Sequence, residues 1–225
     1  MEIFLDTASV DEIKAVLPWG IVNGVTTNQK IFSKEKGINF KQRVLEILSL
    51  VDGPLSVELT KTSGTDDDLV KEAEEYVSWS PNVVLKVPMW GDGRGLRIAH
   101  RLHELGIKTN MTCIMATNQM LLATKVGATY ASIFFNRVKD SGGDPVKVIR
   151  ETRQIIDDGD FKTKIIVGSI RKPEDVSEAA VAGAHVITIP YKILMQMPYH
   201  SKTEETIKEF DQAWLEFKKA EKNEV

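Results

Sequence analysis

Eight short runs of apolar, strand-favouring residues recur along the chain, and they constrain it more than any other feature. They are IFLDT (3–7), GVTTN (24–28), LSVELT (55–60), VVLKVPM (83–89), KTNMTCI (108–114), YASIFF (130–135), KIIVGSI (164–170) and HVITIP (185–190). Amphipathic stretches lie between them, such as NFKQRVLEILSLV before the third and DPVKVIRETRQII before the seventh. A strand that is apolar on both faces must be covered on both faces, and a helix between successive strands makes neighbours parallel. Eight such units predict an α/β fold, a closed (β/α)8 barrel, over an open doubly wound sheet. GDGRG at 91–95 does follow a strand and precede a helix. It is not GxGxxG, however, and no dinucleotide fingerprint follows the first strand. A length of 225 residues fits one barrel, so residues 1–225 are expected to form a single domain.

One segment lies outside the eight repeats. TEETIKEFDQAWLEFKKA (203–220) predicts a C-terminal helix, capped near Thr203, with Ile207, Phe210, Trp214 and Phe217 spaced as one stripe. That stripe serves either to pack on its own barrel or to dock on a neighbouring subunit. The formal charge of −3 argues against a general nucleic-acid binder. No run of about 18 apolar residues predicts a membrane span. MEIFLDTAS has no basic stretch followed by an apolar one, and a cytoplasmic location is expected. Cys113, the single cysteine, can form no internal disulfide.

In a barrel the reacting groups stand at the C-terminal ends of the strands. The polar residues there are Asp6, Thr26, Asn28, Glu58, Lys86, Asn110, Thr112, Ser132 and Ser169. Alternation along a strand puts Asn110 with Thr112, Ser132 with Phe134, and Val84 with Lys86 and Pro88, while Cys113 faces the other way. A few satisfied polar groups are normal inside a barrel. Lys86 stands apart, because a buried lysine is rare unless paired. Burial opposes the charge of an ammonium, and a lysine amine without its extra proton attacks carbonyls to give a Schiff base. Asp6 and Glu58 either pair with it or carry protons through water. The bland alternative is a buried salt bridge, a weak contributor to stability.

Arg137 follows the sixth strand and Arg171 the seventh, in FFNRVKD and GSIRKP. Two arginines at matching places, with Ser169 beside one, favour an anion site. His100, His103, His185 and His200 show neither HxH nor HExxH spacing, so no metal is expected.

Taken together, FLDTA, GVTTN, LSVELT, VVLKVPM, TNMTCI with its following Gln, SIF with its following Arg, and GSIR resemble the small transaldolases and fructose-6-phosphate aldolases. The resemblance runs from residue 3 to about 220. It implies a (β/α)8 barrel, no cofactor, and a homo-oligomer, typically a decamer of two pentameric rings whose C-terminal helix reaches a neighbour. It implies Lys86 as the Schiff-base lysine, Asp6 as acid and base for C–C cleavage, and Glu58 as the carboxylate handling protons through a water oriented by Thr112. Asn28 and Asn110 then position donor hydroxyls and Ser132 touches the dihydroxyacetone unit. Arg137, Ser169 and Arg171 match the anion-binding end, and Thr26 lies in the same GVTTN motif. Glu58 and Phe134 are the transferase-like choices, where aldolases of the family tend to have Gln and Tyr.

The departures are TTNQK for the usual TTNP (Gln29, Lys30), PMW for PMT (Trp90) and FFNR for FVGR. An indole N–H is a neutral donor on an apolar body. Placed between Arg137 and Arg171 it would suit a sulfonate of charge −1 better than a phosphate of about −1.5 to −2. On this ground the chain resembles the sulfofructose transaldolases of sulfoquinovose breakdown. The expected donor is 6-deoxy-6-sulfofructose and the expected acceptor glyceraldehyde 3-phosphate or erythrose 4-phosphate. An ordinary transaldolase or a non-catalytic sugar-phosphate barrel is the alternative.

Overall fold

A computed structural model describes residues 1–61 and 63–223. The strands are β1 (Glu2–Asp6), β2 (Gly24–Thr26), β3 (Leu55–Glu58), β4 (Val83–Pro88), β5 (Thr109–Ile114), β6 (Tyr130–Phe134), β7 (Lys164–Gly168) and β8 (Val186–Ile189). The helices are α1 (Val10–Val16), α2 (Gln29–Phe32), α3 (Phe40–Leu50), α4 (Asp66–Val77), α5 (Arg94–Glu104), α6 (Thr117–Lys125), α7 (Phe135–Asp140), α8 (Pro145–Asp158), α9 (Pro173–Ala182), α10 (Tyr191–Leu194) and α11 (Ser201–Asn223). All eight strands pair in parallel with their chain neighbours, and β8 closes on β1. This is the (β/α)8, or TIM, barrel that the alternating runs predict.

Strand alternation sorts each run onto two faces. Leu5, Val25, Val57, Leu85, Val87, Met111, Ile133, Val167 and Ile187 point outward and pack beneath the helices in one large core. The opposite face lines the barrel. Its lower part is an apolar floor of Phe4, Val84, Tyr130, Ile166 and Val186. Phe4 meets Tyr130 edge-on, with centroids 6.1 Å apart. One pleat further along, the same faces carry Asp6, Lys86, Ser132, Gly168 and Thr188. A strand such as VVLKVP therefore reads as an apolar run with one interruption. Leu85 and Val87 serve the outer core, Val84 the floor, and Lys86 the space above it.

Two details shape the barrel mouth. In GDGRG, Gly93 adopts φ +79° before α5, and a Cβ on Gly95 would lie 2.0 Å from the Pro88 carbonyl oxygen. Gly93 serves the left-handed turn before the helix, and Gly95 the close strand–helix packing. In β5 the pairing with β6 shifts between Met111 and Ile114, and Cys113 takes φ +61°. The thiol is exposed as a result.

The C-terminal helix begins at Ser201, so Thr203 lies inside it and does not cap it. Every described side chain from 201 to 221 is exposed. Among the described residues no helix is long and apolar enough to cross a membrane.

Candidate active site

A cavity of about 160 Å³ opens at the C-terminal ends of the strands. Its lining draws on seven strands: Asp6 (β1), Thr26 (β2), Lys86 (β4), Asn110 (β5), Ser132 and Phe134 (β6), Gly168 (β7) and Thr188 (β8), with Asn28, Arg137 and Ser169 from the loops and helices that follow.

Lys86 is 6 % exposed. Its Nζ donates to the Thr27 carbonyl at 3.0 Å. Among the described residues it makes no ion pair with any carboxylate. Glu58 stands opposite Lys86 in the β3–β4 register, and Asn110 opposite Lys86 in β4–β5. The lysine's field reaches both nearby acids. Burial pushes the Asp6 carboxyl above the ordinary aspartate range, while Lys86, the Thr26 hydroxyl and Lys34 pull it back in part. Burial likewise raises Glu58, opposed by Lys86 and by a hydrogen bond from Gln29. A buried amine without a bonded counter-ion, flanked by two carboxyls that protonate readily, is equipped for carbonyl addition and proton transfer.

The polar groups around it are fixed by one another. Ser132 Oγ donates to Asn110 Oδ1 at 2.7 Å, and Asn110 Nδ2 donates to Ser56 Oγ at 3.0 Å. Both bonds together set the orientation of the Asn110 amide. Asn28 caps α2, its Oδ1 accepting from the Ile31 N–H at 2.9 Å. Thr26 Oγ1 donates to Asp6 Oδ1 at 2.7 Å. Thr112 is fully buried, and its hydroxyl has no hydrogen-bond partner among the described residues.

Glu58 lines an adjoining cavity, also of about 160 Å³, with Asn28, Gln29, Phe32, Phe40 and Thr60. Asn28 borders both spaces. At the other end, the Arg137 guanidinium lies 5.1 Å from the Phe134 ring centroid and makes no ion pair among the described residues. Ser169 beside it holds φ +60°, a conformation uncommon outside glycine.

Two residues expected at the anion end do not line either cavity. Arg171 is exposed, and its guanidinium makes two bonds to Asp140, Nη1 at 2.9 Å and Nη2 at 2.5 Å. Trp90 is half-buried against the outer core, and its ring lies 5.4 Å from the Arg94 guanidinium. Conversely, Thr188 and Gly168 line the first cavity without a role expected for them, and Gln29, noted above as a departure from the usual motif, lines the second. Thr188 was legible: it is the only polar residue in VITI and falls on the same face as Val186 of the floor. Gly168 stays small because a Cβ would come within 3.3 Å of Thr188 Cγ2. Among the described residues no group of three His, Cys, Asp or Glu side chains is placed to hold a metal ion.

A closed (β/α)8 barrel with a lone buried lysine and two carboxyls at its C-terminal mouth defines the class of barrels built for chemistry on carbonyl compounds. Residues 3–225 match the model of the family described as transaldolase/fructose-6-phosphate aldolase, and the chain belongs to that family. Similar proteins include a "Probable transaldolase" of Carboxydothermus hydrogenoformans, 44% identical over 97% of this chain and 100% of that protein. Another, of Alkaliphilus metalliredigens, is 42% identical over 95% of this chain and 98% of its own length. A third, of Streptococcus pyogenes, is 44% identical over 97% and 100%.

Proposed function

We propose that this chain is a Schiff-base transaldolase that moves a dihydroxyacetone unit from a ketose with an anionic tail to an aldose phosphate. The observation that carries the reading is the state of Lys86: buried, bonded to a carbonyl and, among the described residues, without the salt bridge that a structural role would require. The Lys86 amine attacks the ketose C2 carbonyl and water leaves, giving an iminium. Asp6 takes the C4 hydroxyl proton. The C3–C4 bond breaks and its electron pair flows into the iminium, leaving an enamine. The iminium is the electron sink, so the step calls for no further group. The first aldehyde departs, the second adds to the enamine, and hydrolysis frees the new ketose. Asn28, Asn110 and Ser132 hold donor hydroxyls. Glu58 moves protons through a water held by the otherwise unpartnered Thr112 hydroxyl.

The anionic tail belongs at Arg137 and Ser169. The donor best supported is a ketose phosphate such as fructose 6-phosphate, because Trp90 packs against Arg94 and lies outside the cavity lining. A second reading, 6-deoxy-6-sulfofructose releasing sulfolactaldehyde, is favoured by one observation. Asp140 holds Arg171, so Arg137 is the one cation in the cavity lining at that end, a match for a monoanion. The measurement is kcat/KM for both donors with glyceraldehyde 3-phosphate as acceptor, in wild type, Arg137→Ala and Trp90→Thr. Arg137→Ala should cost both donors about tenfold to a hundredfold, the loss expected for a hydrogen bond to a charged group. Trp90→Thr should leave the donor ratio unchanged. A wild-type preference for sulfofructose, or a ratio that shifts tenfold or so in Trp90→Thr, would establish the sulfonate reading.

The functional unit is a homo-oligomer, a decamer of two pentameric rings, in which α11 docks on a neighbouring copy. Its support is the helix itself, which leaves Phe210 70 % and Trp214 59 % exposed on its own chain.

A further inference from the structure

Thr188 was not among the groups given a role above, yet its place in the cavity is constrained by proton counting. Asp6 sits on β1, between Thr26 on β2 and Thr188 on β8. Thr26 Oγ1 lies 2.7 Å from Asp6 Oδ1 and 2.5 Å from Thr188 Oγ1. A hydroxyl has one hydrogen to give. While Asp6 is ionised it only accepts, so Thr26 must spend its hydrogen on Asp6. The contact between the two threonines then has one possible donor, Thr188. The chain runs Thr188 to Thr26 to Asp6, and Thr188 turns only lone pairs toward the cavity it lines.

We infer that Thr188 is a positioning residue for Asp6, and that the three oxygens form a hydrogen-bond relay whose direction follows the charge on Asp6. The inference rests on the reading of Asp6 as the acid and base of cleavage. Before the bond breaks, Thr188 accepts from a donor hydroxyl. When Asp6 takes the substrate proton, the relay reverses: Asp6 donates to Thr26, Thr26 to Thr188, and Thr188 presents its hydrogen to the cavity. No proton leaves the site, and each hydroxyl only rotates. Burial holds both threonines in place, since Thr26 is 1 % and Thr188 6 % exposed. The arrangement also accounts for Gly168, whose missing side chain leaves room for the Thr188 methyl.

The charged groups acting on Asp6 are Lys86 from β4 and Lys34 beyond α2, both favouring its ionised form, as does the Thr26 bond. Successive hydrogen bonds polarise one another. Thr188 therefore strengthens the Thr26 bond to the carboxylate, and its loss should make Asp6 easier to protonate. Thr188→Val keeps shape and strand preference while removing the hydroxyl. It should lower kcat about three- to tenfold with KM little changed. It should also move the acid limb of the kcat–pH profile upward by about half a unit to one unit. Thr188→Ser should restore both, and Thr188→Ala, checked for an intact fold by melting, should repeat the pH displacement. A wild-type profile in the valine and alanine variants, or a serine variant that fails to recover, would overturn the relay. Asp6→Asn separates the two levels: if it cleaves at the wild-type rate, the acid–base reading and this inference both fall. If it is crippled while Thr188→Val is unaffected, the inference falls alone.

Discussion

Asp6 illustrates how a carboxyl inside the barrel is held at the expense of the fold. Burial raises its protonation range above that of the unfolded chain. A carboxyl shifted this way contributes stability that is fully present below its unfolded value and is lost as pH rises through the raised, folded one. At neutral pH its charge is a burden on the folded state. Asp6→Asn should therefore melt above the wild type, with a difference in Tm that opens as pH rises past the ordinary aspartate range, while transfer is lost. Asparagine can still accept from Thr26, so the local contacts persist. Melting curves of both proteins from acid to neutral pH check this. A difference that is constant with pH, or of opposite sign, would show that burial is not the dominant influence on Asp6. Glu58 follows the same sign, raised by burial and opposed by Lys86 and Gln29.

At the scale of elements, the strands were legible because their apolar runs answer to two cores at once. Their ends were less so. The second run reads as a strand through Asn28, whereas β2 stops at Thr26 because Asn28 turns to cap α2. Strand geometry, through strand ends and alternation, pointed to Asp6, Thr26, Lys86, Asn110, Ser132 and Phe134, which lie within strands and line one cavity. It has no hold on residues past the strand ends. There Trp90 turned to Arg94 and Arg171 to Asp140, partners that only the folded loops bring near. The helix α11 is the other element whose sequence said more than its own chain uses. A helix draws most of its stability from packing an amphipathic face, and this one leaves Ile207, Phe210, Trp214, Leu215 and Phe217 exposed. Replacing Phe210, Trp214 and Phe217 together by serine should lower the particle mass measured by light scattering, with the barrel's far-ultraviolet signal retained. A wild type that is monomeric at micromolar concentration would contradict the docking role.

For the whole molecule, the division of labour runs along the barrel axis. The floor of Phe4, Val84, Tyr130, Ile166 and Val186 closes one end with apolar packing. The layer above it gathers Lys86, Arg137, Asp6 and a set of polar hydroxyls and amides around a space of about 160 Å³, with Glu58 in the adjoining cavity. Thr26 on β2 reaches both Asp6 on β1 and Thr188 on β8, so the site depends on closure of the sheet between β8 and β1 as much as on any side chain. The central claim is that this architecture exists to let Lys86 bond covalently to a ketose. Borohydride reduction in the presence of fructose 6-phosphate, followed by peptide mass mapping, tests it directly. The account predicts a reduced dihydroxyacetone adduct on the peptide carrying Lys86, and none in Lys86→Met, whose side chain is of similar length and suits an apolar strand. An adduct on a different lysine, or one that survives in a folded Lys86→Met, would contradict it.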